Sequence, residues 1–162
     1  MNNSYNGHLC IVFALEHYNP LNMIRAFGES GINPVYISVK RRYEVAIFSK
    51  YISKLHRVDS VEEGFRLLLD EYGNFDSDHK PYIVFSDDKS VGYFDLHYDE
   101  WKGKFIAYNA GKTGRINEFI DKYNIQQLAK KHGFNVLDSY VISKNDDLPK
   151  DLWYPIITKD IS

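Results

Sequence analysis

Residues 9–15 read LCIVFAL, an apolar run with no polar break. A strand with one wet face alternates apolar and polar side chains. An unbroken run therefore predicts a strand covered on both faces, the habit of parallel sheets held between helix layers. The chain that follows fits this setting. The loop EHYN leads to Asn19-Pro20, a helix start with an N-cap side chain and proline at the first helical position. Leu21, Ile24 and Phe27 mark one helical face, and Ser30-Gly31 offers a glycine to close it. PVYISV at 34–39 is a second strand, so the start of the chain is a β-α-β unit with the usual right-handed crossover.

The rest extends this alternation. Residues 45–58 leave the period open, with a short strand near 55–58. Ser60-Val61-Glu62-Glu63 is a capping box opening a helix whose apolar face is Phe65, Leu68, Leu69 and Tyr72. After the polar stretch 73–80, PYIVF at 81–85 is a third strand. Residues 89–101 read as helix or hairpin, and their place after a buried strand favours helix. Residues 105–108 are a short strand. At 116–133, Ile116, Phe119, Ile120, Tyr123, Leu128, Ala129 and His132 fall near one helical face, and Gly133 ends it. Strands are predicted at 136–142 and 153–159, around a polar turn at 145–151. The expected fold is α/β. Residues 1–112 form a Rossmann-like domain with a mostly parallel sheet and helices on both faces. Residues 113–162 form a linker helix and the first part of a second, truncated α+β domain, too short to bury a core of its own.

Composition narrows the function classes. Lys+Arg is 20 against Asp+Glu 22, a net charge of -2, which excludes a strongly basic nucleic-acid binder. The single cysteine, Cys10, cannot form an internal disulfide, which points to a reducing compartment. No apolar run approaches the roughly 20 residues that span a bilayer. MNNSYNGH lacks the basic-then-apolar order of a signal peptide. A cytoplasmic protein with neither nucleic-acid nor membrane partners is expected. The 13 Tyr and 10 Phe read as core rings with amphipathic rims. There is no G-x-G-x-x-G after the first strand, no phosphate loop, no H-E-x-x-H among the six histidines, no C-x-x-C and no G-x-S-x-G. No metal site is expected and no catalytic residue is assigned.

Open α/β sheets bind ligands outside the carboxyl ends of their strands. That rule selects Glu16, His17 and Asn19 after the first strand, Ser49 in the following loop, and Asp87 and Asp88 after the third. Adjacent carboxylates can hold Mg²⁺ or do acid–base work, yet neighbours diverge in direction, so one of the pair caps the next helix. Lys40-Arg41-Arg42 reads either as a solvated turn or as an anion site at the same edge. Gly111-Lys112-Thr113-Gly114 lacks phosphate-loop spacing and reads as an exposed turn.

The C-terminal third reads INEFIDKYNIQQLAKKHGFNVLDSYVI, then DLWYPIITK. It resembles the junction of the ATP-grasp superfamily. There, an Asp-Lys at a helix start is followed by an L-A-x-x-x-G helix end, a strand, and a Y-P-hydrophobic-hydrophobic-x-K strand. Upstream, residues 11–39 resemble the pre-ATP-grasp domain of these carbamoyl-phosphate-synthase-like ligases. AIFSKY matches its small-x-x-Ser-x-Tyr pattern, and PYIVFSDDKSV matches its strand-then-Asp segment. The resemblance implies Lys122 and Lys159 as ATP contacts, with ATP and Mg²⁺ as cofactors of the full-length enzyme. It implies a small-molecule carboxylate and an amine or thiol as substrates, joined through an acyl phosphate, and a homodimer formed through the N-terminal domain. Two departures stand out. Asp160 sits where the family often has proline, and the glycine-rich lid, the purine-selecting acids and the Glu/Asn metal ligands lie beyond position 162 in the family. These residues alone are therefore expected to hold no nucleotide and to show no turnover. Two other readings stay open: a stand-alone α/β small-molecule-binding or regulatory module, and a Rossmann-type glycan-modifying transferase domain.

Overall fold

The structure, a computed structural model, describes residues 2–75, 77–150 and 152–158. The chain divides into two compact units, Met1–Ile116 and Asn117–Ser162. In the first, Ser4–Tyr5 (β1) and His8–Leu15 (β2) form an antiparallel hairpin turned by Asn6-Gly7, at φ 49° and 85°. Positive φ at both central residues is what such a two-residue turn requires, and Asn-Gly adopts it at least cost.

β2 then pairs in parallel on both sides. Val35–Val39 (β3) and Lys54–Val58 (β4) lie to one side, and Tyr82–Phe85 (β5) and Ile106–Ala107 (β6) to the other, in the order β4-β3-β2-β5-β6. The sheet is that of a Rossmann-like α/β fold. Its connections are Tyr18–Glu29 (α1) and Val61–Tyr72 (α2), then Asp88–Leu96 (α3) and Tyr98–Trp101 (α4). Leu9, Ile11 and Phe13 of β2 pack with Val35, Ile37, Phe65, Leu68, Phe94 and Trp101. Val12 and Ala14 pack on the other face with Tyr36, Ala46 and Ile24 of α1. Burial on both faces is the reason for the unbroken apolar run.

Several local expectations meet a different outcome. His17, not Asn19, caps α1: its Nδ1 accepts from the Asn19 N–H at 3.2 Å, which puts Pro20 in the middle of the first turn. Proline is tolerated there because a first-turn N–H has no helical partner to lose. The ambiguous 45–58 segment contains a 3₁₀ turn at Ala46–Phe48 before β4. The helix read across 116–133 is two, Arg115–Ile120 (α5) and Lys122–Lys131 (α6). Asp121 breaks it. Its side chain accepts from the Asn124 N–H at 2.8 Å, and an aspartate that caps offers the backbone an alternative to continuous helix. Residues 136–142 form no strand, and neither do 153–158; the last residue of that expected strand, Lys159, lies outside the described residues. A strand needs a neighbour for its N–H and C=O groups, and apolar residues alone do not supply one. No helix among the described residues is long and apolar enough to cross a membrane.

Where edge strand β4 meets α2, His56 Nε2 lies 2.8 Å from the Tyr72 hydroxyl, and Lys54 pairs with Glu71 at 2.7 Å. Burial holds the His56 imidazole below its ordinary 6.5, helped by Lys54 and opposed by Glu71. Below about pH 6.5 the unfolded chain therefore carries a proton that the folded chain resists. This contribution to stability is intact above that pH and declines as the pH falls through it. Thermal melts across this range should show a falling midpoint. His56→Gln keeps a hydrogen-bonding side chain that cannot titrate and should flatten that part of the fall. An unchanged slope in the variant would assign the pH dependence elsewhere.

Candidate functional site at the carboxyl edge of the sheet

The strand order reverses at β2. Its neighbours β3 and β5 lead away on opposite sides, and the crevice beyond such a reversal is where open α/β sheets take ligands. The β2–α1 turn brings Glu16, His17 and Asn19 to this edge, and the β5–α3 turn brings Ser86, Asp87 and Asp88. Ser49 is not brought to this edge: it lies in the β3–β4 loop beyond the residues that Glu16 holds, beside Tyr51, which packs against Gly28 at the far end of α1 and bonds Asn33 before β3.

Glu16 is sealed rather than presented. It is 1% exposed, and its carboxylate accepts five hydrogen bonds. Oε2 accepts from the Tyr36 hydroxyl at 2.5 Å and the Ser38 hydroxyl at 3.0 Å. Oε1 accepts from the backbone N–H groups of Val45 at 2.7 Å, Ala46, and Ile47 at 3.3 Å. Three consecutive N–H groups aimed at one oxygen replace the water that a buried carboxylate loses, without any cation. Burial, and then the Glu16 contact, push the Tyr36 phenol well above its ordinary range, so it remains a protonated donor. Glu16 thus fixes the β3–β4 loop to the end of β2 and has no lone pair left for a substrate. Tyr36 and Ser38, polar at alternate positions of the apolar run PVYISV, are the sequence signal for this contact.

Asp87 is also engaged internally. It caps α3, accepting from the Ser90 N–H at 2.8 Å and hydroxyl at 2.9 Å, and it accepts from the Leu15 N–H at 2.9 Å. That last bond continues the β2–β5 ladder one step past Phe85, where β5 has ended. Of the two adjacent carboxylates, Asp87 is therefore the cap, and Asp88 is exposed at the first position of α3.

What remains for a ligand is a smaller set. His17 uses Nδ1 as a helix cap, which leaves its Nε2 for other partners. The Ser86 hydroxyl, absent from the expected site residues, is buried with no hydrogen-bond partner among the described residues. Such a group is costly unless something satisfies it. Ser49 ends the 3₁₀ turn and accepts from the Tyr51 N–H at 3.4 Å. Asn19 is half-buried in the first turn of α1.

In the second unit, Lys122 is exposed at the first position of α6. Lys159 lies outside the described residues. Gly111 and Gly114 both have positive φ, 72° and 78°, in an exposed turn. Among the described residues no group of three or more His, Cys, Asp or Glu side chains is arranged to hold a metal ion. No protein-family model and no curated protein sequence matches the chain.

Proposed function

We propose that the chain is the N-terminal, substrate-side part of a cytoplasmic ATP-dependent ligase of the ATP-grasp class. It would join a small-molecule carboxylate to an amine or thiol through an acyl phosphate. One observation carries the reading: strand order and motif order coincide. A parallel sheet reversing at β2, with His17, Ser86 and Asp88 at its carboxyl edge, is followed by Asp121-Lys122 opening α6 and Leu128 to Gly133 closing it. That is the succession of motifs in the resembling family. Lys122 adds support, because a cation in the first turn of a helix opposes the helix dipole and is not there for the helix. The exposed apolar face of α6, with Ile125 48% and Leu128 37% exposed, fits a helix meant for a larger domain.

ATP with Mg²⁺ belongs to this reading, as does a homodimer formed through the first unit. Among the described residues Lys122 is the group that would meet phosphate oxygens as a point charge. Carboxylates gathered to hold Mg²⁺ are not found among them, and no step is derived through the metal. The role derived for this chain is to position a carboxylate substrate at the sheet edge, where the His17 Nε2 offers a hydrogen bond.

The test begins with the reading frame past Ser162. The ligase reading expects roughly 150–250 further residues with a glycine-rich loop and a late Glu-x-Asn. The protein expressed to its natural stop codon should release ADP in a carboxylate-dependent way, and hydroxylamine should trap the acyl phosphate as a hydroxamate. Lys122→Ala should weaken ATP binding by about tenfold, or roughly 1.4 kcal/mol. A stop codon directly after Ser162 would reject the ligase and favour a stand-alone small-molecule-binding module.

A further inference from the structure

The loop between β3 and β4 combines two properties that rarely meet in a surface segment. It is held rigidly, and it presents apolar rings to water. Glu16 grips the backbone of Val45, Ala46 and Ile47, and Ala46 is fully buried under the sheet. Asn33 fixes the far end by donating to the Tyr51 carbonyl at 3.0 Å. On this fixed frame Phe48 is 80% exposed, Tyr43 72% and Val45 45%. Apolar rings exposed on a rigid segment suit an interaction surface, because preorganised side chains lose little freedom on binding.

The charges beside these rings indicate what binds. The neighbourhood's acids are already engaged: Asp59 pairs with Lys40 at 2.6 Å and Glu44 with Arg57 at 2.5 Å. Arg41, Arg42 and Lys50 have no carboxylate within ion-pairing distance among the described residues. Arg42 lies 5.3 Å from the Tyr43 ring and Lys50 5.0 Å from the Tyr51 ring, so two of the three cations are stacked on aromatic faces. The surface is thus a rigid aromatic tip flanked on both sides of the sequence by unpaired cations.

We propose that residues 41–50 form a recognition surface for an acidic polypeptide segment, with Arg41, Arg42 and Lys50 meeting its carboxylates and Tyr43 and Phe48 packing on its side chains. This inference stands apart from the ligase reading. The guanidinium fork matches the two oxygens of a carboxylate, and exposed Tyr beside Arg is the composition of protein recognition sites rather than of a bare anion site.

The test is fluorescence anisotropy with a labelled Glu-rich peptide, its Gln-for-Glu counterpart, and competing vesicles of phosphatidylcholine and phosphatidylserine. The Glu-rich peptide should bind, added salt should weaken it, and the Gln peptide should not bind. Arg41→Gln with Arg42→Gln should weaken binding by about fivefold to twentyfold, on the scale of two exposed ion pairs. Phe48→Ala should weaken it by about fivefold or more. Lys104→Gln, before β6 at the opposite edge of the sheet, should leave it unchanged. All four side chains are exposed, so thermal melts of the variants should match wild type. Equal binding of the two peptides, indifference to the arginine changes, or vesicle binding without peptide binding would each overturn the proposal.

Discussion

Glu16→Ala should lower the unfolding free energy by about 3–5 kcal/mol, the range for removing one member of a buried charged network. The carboxylate is the shared acceptor for the Tyr36 and Ser38 hydroxyls and for the backbone N–H groups of Val45, Ala46 and Ile47. Alanine leaves these donors in a site sealed from water, and each unmet donor costs about 1–3 kcal/mol, less what relaxation recovers. Glu16→Gln keeps the shape but turns one end into a donor facing donors, and should cost about 1–3 kcal/mol. Tyr36→Phe removes one of the five bonds and should cost about 1 kcal/mol. Urea unfolding monitored by circular dichroism reads all three. The ordering Ala worse than Gln worse than Phe is the signature of a shared acceptor. A Glu16→Ala protein within about 1 kcal/mol of wild type would mean that water enters and takes the place of the carboxylate.

The second large effect belongs to the other face of the sheet. Phe94 of α3 is 1% exposed, with its ring centroid 4.9 Å from Phe13, 4.9 Å from Phe65 and 4.6 Å from Phe85. Its contacts with Phe13 and Phe65 are edge-to-face, at 71° and 89°. Trp101 Nε1 donates to the Phe94 carbonyl at 2.8 Å. One ring therefore joins β2, β5, α2 and α3. Phe94→Ala should cost about 3–5 kcal/mol from lost transfer energy plus the cavity it leaves. Phe94→Leu fills most of the volume and should cost less. A loss under about 1.5 kcal/mol for alanine would mean that the aromatic cluster collapses into the space.

The sealing of Glu16 also changes the chemistry available at the sheet edge. An exposed carboxylate beside His17 would suit acid–base work, but Glu16 has no free lone pair and Asp87 is held by Leu15 and Ser90. The edge instead offers the half-buried His17 imidazole and the exposed Asp88 carboxylate, while the Ser86 hydroxyl beside them is buried. The first two suit orientation of a polar substrate, in keeping with the positioning role proposed for this unit.

Features that depend on near neighbours were legible in the residue order. The unbroken LCIVFAL run announced a strand buried on both faces, because only such burial makes every position apolar. Ser60 and Glu63 announced the start of α2, because a cap is a bond across three residues: Ser60 Oγ accepts from the Glu63 N–H at 3.1 Å. Asn6-Gly7 carried an equally local hairpin signal inside a stretch that read as a polar terminus. The role of Glu16 was not legible, since its partners lie 20 to 31 residues away and converge only when β3 and its loop pack beside β2. For the same reason the apolar runs at 136–142 and 153–159 were misread as strands; none forms at 136–142 or at 153–158. Alternating or continuous apolar residues state which faces want burial, while a strand exists only where a neighbouring backbone supplies its hydrogen bonds. Local hydrogen bonding and hydrophobic period are thus determined by the sequence itself. Which carboxylate is sealed, which hydroxyl is left unpartnered and which loop is held rigid were decided by the tertiary structure, through contacts between residues far apart along the chain.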